Sequence, residues 1–138
     1  LFLEAWRALG STRLALRSTP FKQLVAGLTL HREPVEAAVV GPEALEQARR
    51  IGWAVRAATG YTPWRSSCLV QVLAAKTLLA RQHIPWVVHF GARPGQQGDL
   101  NAHAWLSVGP DIIVGRRGHR AFGIVATYAS VTATGQAL

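Results

Sequence analysis

Trp86-Val87-Val88-His89-Phe90, a turn-rich stretch from Gly91 to Leu100, and then Ala102-His103-Ala104-Trp105-Leu106-Ser107-Val108 decide the fold of this chain. Both apolar runs carry β-branched and aromatic residues between turn signals, as strands do. The second alternates, with His103, Trp105 and Ser107 on one face. Pro94, Gly95 and Gly98 break the chain between them. Gly109-Pro110 then turns it again, and Ile112-Ile113-Val114 reads as a third strand. A basic loop, Arg116-Arg117-Gly118-His119-Arg120, leads to a last short strand, Ile124-Val125-Ala126-Thr127-Tyr128. Strands joined by turns this short pair antiparallel.

Upstream the period changes from two to about 3.6. Residues 1–30 read as two helices broken near Gly10-Ser11-Thr12, with Thr19 capping and Pro20 opening a restart that carries Phe21, Leu24, Val25 and Leu28. Residues 31–42 form a connector. Pro42 opens a helix with Glu43 and Glu46 in its early turns, an i,i+4 pair of Glu46 with Arg50, and a stripe of Ala44, Ala48, Ile51, Gly52 and Val55 ending at Gly60. After the loop Tyr61-Thr62-Pro63-Trp64-Arg65, Ser66 or Ser67 can cap a helix from about Cys68 to Arg81. Its expected stripe is Leu69, Val72, Leu73, Leu79 and Ala80, and His83-Ile84-Pro85 ends it. Helices first and an antiparallel sheet after make an α+β domain. One domain is expected over 1–138: a helical part (1–60), a loop and helix (61–85) and a sheet (86–138).

The 138 residues suffice to bury a core without disulfides or metals, and a hydrophobic content of 49% is too high for disorder. One Cys excludes an internal disulfide. No apolar run reaches membrane-spanning length, and Arg7, Arg13 and Arg17 interrupt the start too soon for a secretory signal, so a cytoplasmic protein with reduced Cys68 is expected. The N-terminal amphipathic segment is a candidate for docking or membrane contact; packing on its own domain is the ordinary outcome. The formal net charge is +8, from thirteen Arg and two Lys against seven carboxylates. Such a surface suits nucleic acid, an anionic membrane or an acidic protein, and it also arises from Arg-rich composition alone. No aromatic RNA-binding motif is present, which argues against nucleic acid. The histidines lack metal-ligand spacing and there is no glycine-rich phosphate loop, so no metal and no cofactor is expected.

Cys68 falls in the first turn of a helix, where free N–H groups and the helix dipole favour thiolate. A lone Cys is more commonly a small buried hydrophobe. His103 adds a second observation: a base for a cysteine nucleophile has to come from another element, and a strand packed against the Cys helix supplies one. Helix-start Cys followed by strand His is the layout of papain-like and transglutaminase-like thiol enzymes.

Ser67-Cys68-Leu69, the helix end Leu78-Leu79-Ala80-Arg81-Gln82-His83-Ile84-Pro85, Phe90-Gly91 and Ala102-His103-Ala104-Trp105-Leu106 resemble the leader peptidase of lasso-peptide biosynthesis, the small transglutaminase-like cysteine protease called the B protein. Leu14-Ala15-Leu16-Arg17-Ser18-Thr19-Pro20-Phe21 matches that family's opening. The resemblance implies removal of a leader from a ribosomally made precursor peptide, with a separate leader-binding protein delivering the substrate and a cyclase acting afterwards. At this length it implies the stand-alone C-terminal protease form. It also implies a substrate with Thr at the penultimate leader position.

The family places an acidic residue twelve positions after the His, and here that position is Gly115. Asp111 is the candidate third catalytic member, as the only carboxylate downstream of His103. With a two-residue turn at Gly109-Pro110, however, Asp111 pairs with Val108 and lies about 13 Å along the strand from His103. Asp99, Asn101, a backbone carbonyl or water are the other candidate orienters. The Cys68 N–H is the expected oxyanion donor. Trp64 and Trp105 are candidate substrate-binding residues, Trp105 also as a roof over the imidazole. Two other functions fit part of the sequence: an acyl transferase using the same Cys68–His103 pair, and a non-enzymatic basic binding module.

Overall fold

A computed structural model describes residues 1–18, 29–31, 39–61, 68–98 and 100–130. Among them, three α-helices precede most of a five-stranded antiparallel sheet: α1 (Phe2–Ser18), β1 (Thr29–His31), α2 (Pro42–Thr59), α3 (Cys68–Arg81), β2 (Val87–Pro94), β3 (Leu100–Val108), β4 (Asp111–Val114) and β5 (Gly123–Ala129). The strand order is β1-β5-β2-β3-β4. The α+β class expected from the sequence is what the chain adopts.

α1 runs unbroken through Gly10-Ser11-Thr12, where two helices were expected. Ser11 Oγ bonds back to the Ala8 carbonyl at 3.2 Å, so the hydroxyl does not interrupt the helix. Burial of Ala5, Ala8 and Leu9 offsets the ~1 kcal/mol that a mid-helix glycine costs. The segment therefore packs on its own domain. The expected restart at Thr19-Pro20 lies outside the described residues. A short strand, β1, stands where the end of a helix and the start of a connector were expected, and pairs with β5 from Thr29↔Ala129 to His31↔Thr127. Three residues carry too little pattern to reveal a strand whose partner is a hundred residues away.

α2 begins with Pro42 just after Gly41 and stops at Gly60, as the sequence indicates. Arg50 Nε lies 3.6 Å from Glu46 Oε1, the expected i,i+4 pair. Ala48, Ile51, Gly52, Ala54, Val55 and Ala58 are buried, and Ala44 packs at the margin. α3 departs from the expected stripe. Val70, Val72, Leu73, Ala74, Ala75, Leu78 and Leu79 are all buried, and Ala80 is exposed. The helix is wedged between α1, α2 and the sheet, so it is covered on nearly every side. It ends in a Schellman turn: His83 is left-handed (φ 55°), its N–H donates to Ala80 O at 3.1 Å, and Ile84 N–H donates to Leu79 O at 3.0 Å.

The β2–β3 hairpin is longer than expected. β2 continues through Pro94, and β3 begins at Leu100, with a single 3₁₀ turn at Gln96–Gly98 between them. Pairing runs from Val87↔Ser107 to Pro94↔Leu100. The glycines and proline that mark a loop sit at the solvent end of a long ribbon, where they are tolerated. Val88, Ala104, Leu106 and Val108 turn inward onto the helices and form the core with Leu9, Ile51, Val55, Val72 and Leu79.

Candidate active site

Cys68 is the first residue of α3, so its N–H has no partner within the helix. The side chain is partly buried and packs at the edge of the helix-side core. His103 stands four residues into β3, directly opposite Gly91 of β2. Only glycine fits at 91, because a Cβ there would lie 2.7 Å from Phe122 Cβ and 2.9 Å from Trp105 Cζ3. That absence of side chain lets Trp105 and Phe122 close around the imidazole. The His103 ring lies 5.8 Å from Trp105 at 29° and 5.2 Å from Phe122 at 32°.

His103 Nε2 lies 2.7 Å from the carbonyl oxygen of Gly115. A carbonyl only accepts, so Nε2 carries the proton, and the neutral ring keeps its lone pair on Nδ1. Gly115 is the residue twelve positions after His103, where the resembled family has its acid. Its backbone is left-handed (φ 82°), and a Cβ would lie 2.4 Å from Ala104 O. Position 115 therefore admits no side chain in this geometry, and the main chain presents the acceptor that a carboxylate would otherwise present.

Asp111 lies elsewhere. It pairs with Val108 at the turn end of the hairpin, as its spacing indicates, and Arg49 Nε donates to its Oδ2 at 2.7 Å. It does not reach His103. A register shift between Leu106 and Ser107 leaves Ile113 as an extra residue in β4, which stops pairing at Val114 opposite Leu106. Beyond that point the ladder ends, and Gly115 lies against Ala104 and Trp105 with its oxygen facing the His103 imidazole.

Cys68 and His103 share the walls of two cavities. Both line an apolar cavity of about 420 Å³ and a second, polar cavity of about 710 Å³. They approach from different sides of β3: Cys68 from the helical layer, His103 from the face it shares with Trp105. Among the described residues no hydrogen bond joins the thiol to the imidazole, and catalytic hydrogen bonds are often long until substrate binds. Gln71, one helical turn beyond Cys68, lines the polar cavity with it.

Of the two tryptophans expected to meet substrate, Trp64 lies outside the described residues, as do Arg65, both capping serines and Asp99. Trp105 is 4% exposed and lies among His89, His103 and His119, with ring centroids 5.5, 5.8 and 5.6 Å away. It lines neither cavity, so its contact is with the imidazole, as a roof. His89 Nδ1 lies 3.1 Å from Thr127 Oγ1, and burial together with the nearby His119 holds its pKa below the ordinary value. Phe122 and Arg56 were missed by sequence reasoning. Phe122 precedes a strand and Arg56 sits on a distant helix, and neither carries a local signal of contact with the site. Among the described residues no group of three or more metal-ligating side chains gathers, and no helix is long and apolar enough to cross a membrane.

No curated protein and no solved structure gives a match to the chain. A family model described as the transglutaminase-like superfamily matches residues 15–127, a span that holds α2, α3 and β2 to β4, with both Cys68 and His103. Members of that superfamily are typically cysteine-dependent enzymes, with peptidases and acyl transferases among them. Since the match covers most of the chain and the helix-then-sheet order agrees with it, this protein belongs to the transglutaminase-like superfamily.

Proposed function

We propose that the protein is a cysteine peptidase that removes the leader from a ribosomally made lasso-peptide precursor, with Cys68 as nucleophile and His103 as general base. The observation that carries the catalytic part is the shared cavity wall: a Cys opening a helix and a strand His held through Nε2 border the same two clefts. The leader-peptidase part rests on the motifs around Cys68 and His103 in the sequence.

In this reading Nδ1 of His103 takes the thiol proton across the cavities that the two residues share, leaving a thiolate and an imidazolium. The imidazolium rests against the Trp105 face, a favourable placement for a cation. The thiolate attacks the scissile carbonyl, and the oxyanion that forms accepts from the Cys68 N–H. Collapse of the tetrahedral intermediate breaks the C–N bond, and His103 gives its proton to the departing amine. Water, deprotonated by His103, then attacks the thioester and releases the leader with a free carboxylate and Cys68 as thiol. No cofactor is required. Leader-binding protein, precursor and cyclase are the expected partners, met through the basic surface of a chain whose formal net charge is +8.

The test is cleavage of the cognate precursor in the presence of its leader-binding protein. Cys68→Ala should abolish cleavage with the fold intact, and His103→Ala should slow it about 10²–10⁴-fold. Cleavage retained by Cys68→Ala would overturn the reading. With an amine added, a new amide in place of the free carboxylate would assign acyl transfer to the same pair instead.

A further inference from the structure

The two cavities that meet at Cys68 and His103 differ in chemistry. The apolar one is walled by Phe90 and Tyr128, by Val125 and by alanines at 92, 102 and 126. Small side chains on three neighbouring strands leave the space that larger ones would fill. A β-bulge contributes as well: β5 shifts register between Phe90↔Ala126 and Gly91↔Ile124, which leaves Val125 unpaired at the rim.

The polar cavity is lined by Arg56, Arg116 and Arg117, and among the described residues no carboxylate lines it. Arg56 is tethered by Nη1, which donates to the Ile113 carbonyl at the β4 irregularity. A guanidinium has five N–H donors, so one tether leaves the others to bind. Arg116 and Arg117 stand between two left-handed glycines, Gly115 (φ 82°) and Gly118 (φ 76°). Their turn is held from below, because the Arg116 carbonyl accepts from His119 N–H at 3.3 Å and from His119 Nδ1 at 2.6 Å. Among the described residues no carboxylate pairs with any of the three arginines; the one acid on β4, Asp111, is taken by Arg49.

We infer that the substrate is a peptide bearing an acidic side chain on one side of the attacked carbonyl and an apolar side chain on the other. The carboxylate is held by Arg56, Arg116 and Arg117, and the apolar group enters the alanine-walled pocket. Arginine forks suit carboxylates, and a cleft lined by one sign of charge concentrates the opposite ion. This rests on the peptidase reading and adds the chemistry of its substrate.

Cys68 is the only cysteine, so alkylation followed by mass spectrometry reads this site alone. The rates for iodoacetate and iodoacetamide are measured at one pH, with glutathione as reference. Taking their ratio cancels the thiolate fraction and leaves the preference for a carboxylate. The iodoacetate-to-iodoacetamide ratio should exceed that of glutathione on the order of tenfold. It should fall toward the reference in Arg116→Gln/Arg117→Gln, in Arg56→Gln and at high salt. Arg116 and Arg117 are exposed, so their double variant keeps its fold and carries the charge arm whatever Arg56→Gln does to stability. For the apolar arm, N-benzyl iodoacetamide should outpace iodoacetamide on the protein relative to glutathione, and Ala126→Phe should remove that advantage. A charge ratio equal to that of glutathione, or one indifferent to the Arg116/Arg117 substitution, would overturn the acidic assignment. Failure of the benzyl preference would overturn the apolar one. Alkylation of Cys68 by neutral iodoacetamide no faster than glutathione below neutral pH would count instead against the nucleophile itself.

Discussion

Gly115 offers His103 a backbone oxygen in place of a side-chain acceptor. A peptide carbonyl fixes the imidazole tautomer as a carboxylate does, but carries no full charge to stabilise an imidazolium. The interaction depends on backbone conformation, so it is vulnerable to any side chain at that position. Gly115→Ala must place a Cβ 2.4 Å from Ala104 O at a φ of 82°. It should cost about 1–3 kcal/mol in urea unfolding. It should also slow alkylation of Cys68, because His103 loses its fixed orientation. Asp111→Asn is the contrasting change. It removes the ion pair with Arg49, whose side chain is 54% exposed, so the cost should stay below about 1 kcal/mol. The alkylation rate of Cys68 should not change. A marked fall in that rate would return Asp111 to the site.

At the level of elements, α2 sets the position of the polar cavity. Gly52 lets the helix approach β4 so closely that a Cβ would lie 2.5 Å from Ile113 Cγ2 and 2.7 Å from its carbonyl oxygen. One turn later, Arg56 reaches that same carbonyl. The contact thus joins helix packing to the arginine lining the cleft. Gly52→Ala should improve helix propensity and still destabilise the fold, by about 1–3 kcal/mol, since the overpacking exceeds the propensity gain. A denaturation midpoint at or above wild type would show that α2 can shift away at no cost. α3 plays the corresponding part for the thiol. Its burial among α1, α2 and the sheet fixes the helix, and so fixes where its first residue stands.

Over the whole molecule, the sheet separates two environments. The helix side is a hydrophobic core, mostly aliphatic, with Trp86 in it and Phe90 and Tyr128 at its margin. The other side carries a row of rings, His89, Trp105 and His103, closed by Phe122 and His119. His89 is held neutral there, its pKa lowered first by burial and then by His119. The unfolded chain takes up that proton more readily than the folded one, so stability rises with pH. The contribution is complete above the ordinary histidine value of about 6.5 and is lost as pH falls from there through the lowered folded pKa. Thermal melts from about pH 8 to pH 5 should show a falling midpoint. His89→Gln, which retains a partner for Thr127, should flatten that fall. An unchanged slope in the variant would assign it to other groups.

Much of this was legible in the chain itself. Period-two and period-3.6 patterns announce helices before an antiparallel sheet, Pro42 and Gly60 bound α2, and local sequence places Cys68 at a helix start. Those features are local: each depends on residues within a turn or a strand length of one another. What stayed hidden depends on contacts far apart in sequence. Burial carried α1 through Gly10-Ser11-Thr12 against local preference. β1 exists only because β5 pairs with it. The partner of His103 is a main-chain oxygen, which no residue identity reveals, and the arginines of the polar cleft come from α2 and from the loop after β4. The succession of the longer helices and strands and the identity of the reactive groups follow from the chain's local pattern, because propensity and periodicity are properties of short segments. Which groups face one another is settled in three dimensions, because it depends on register, on a bulge and on the close approach that glycine permits.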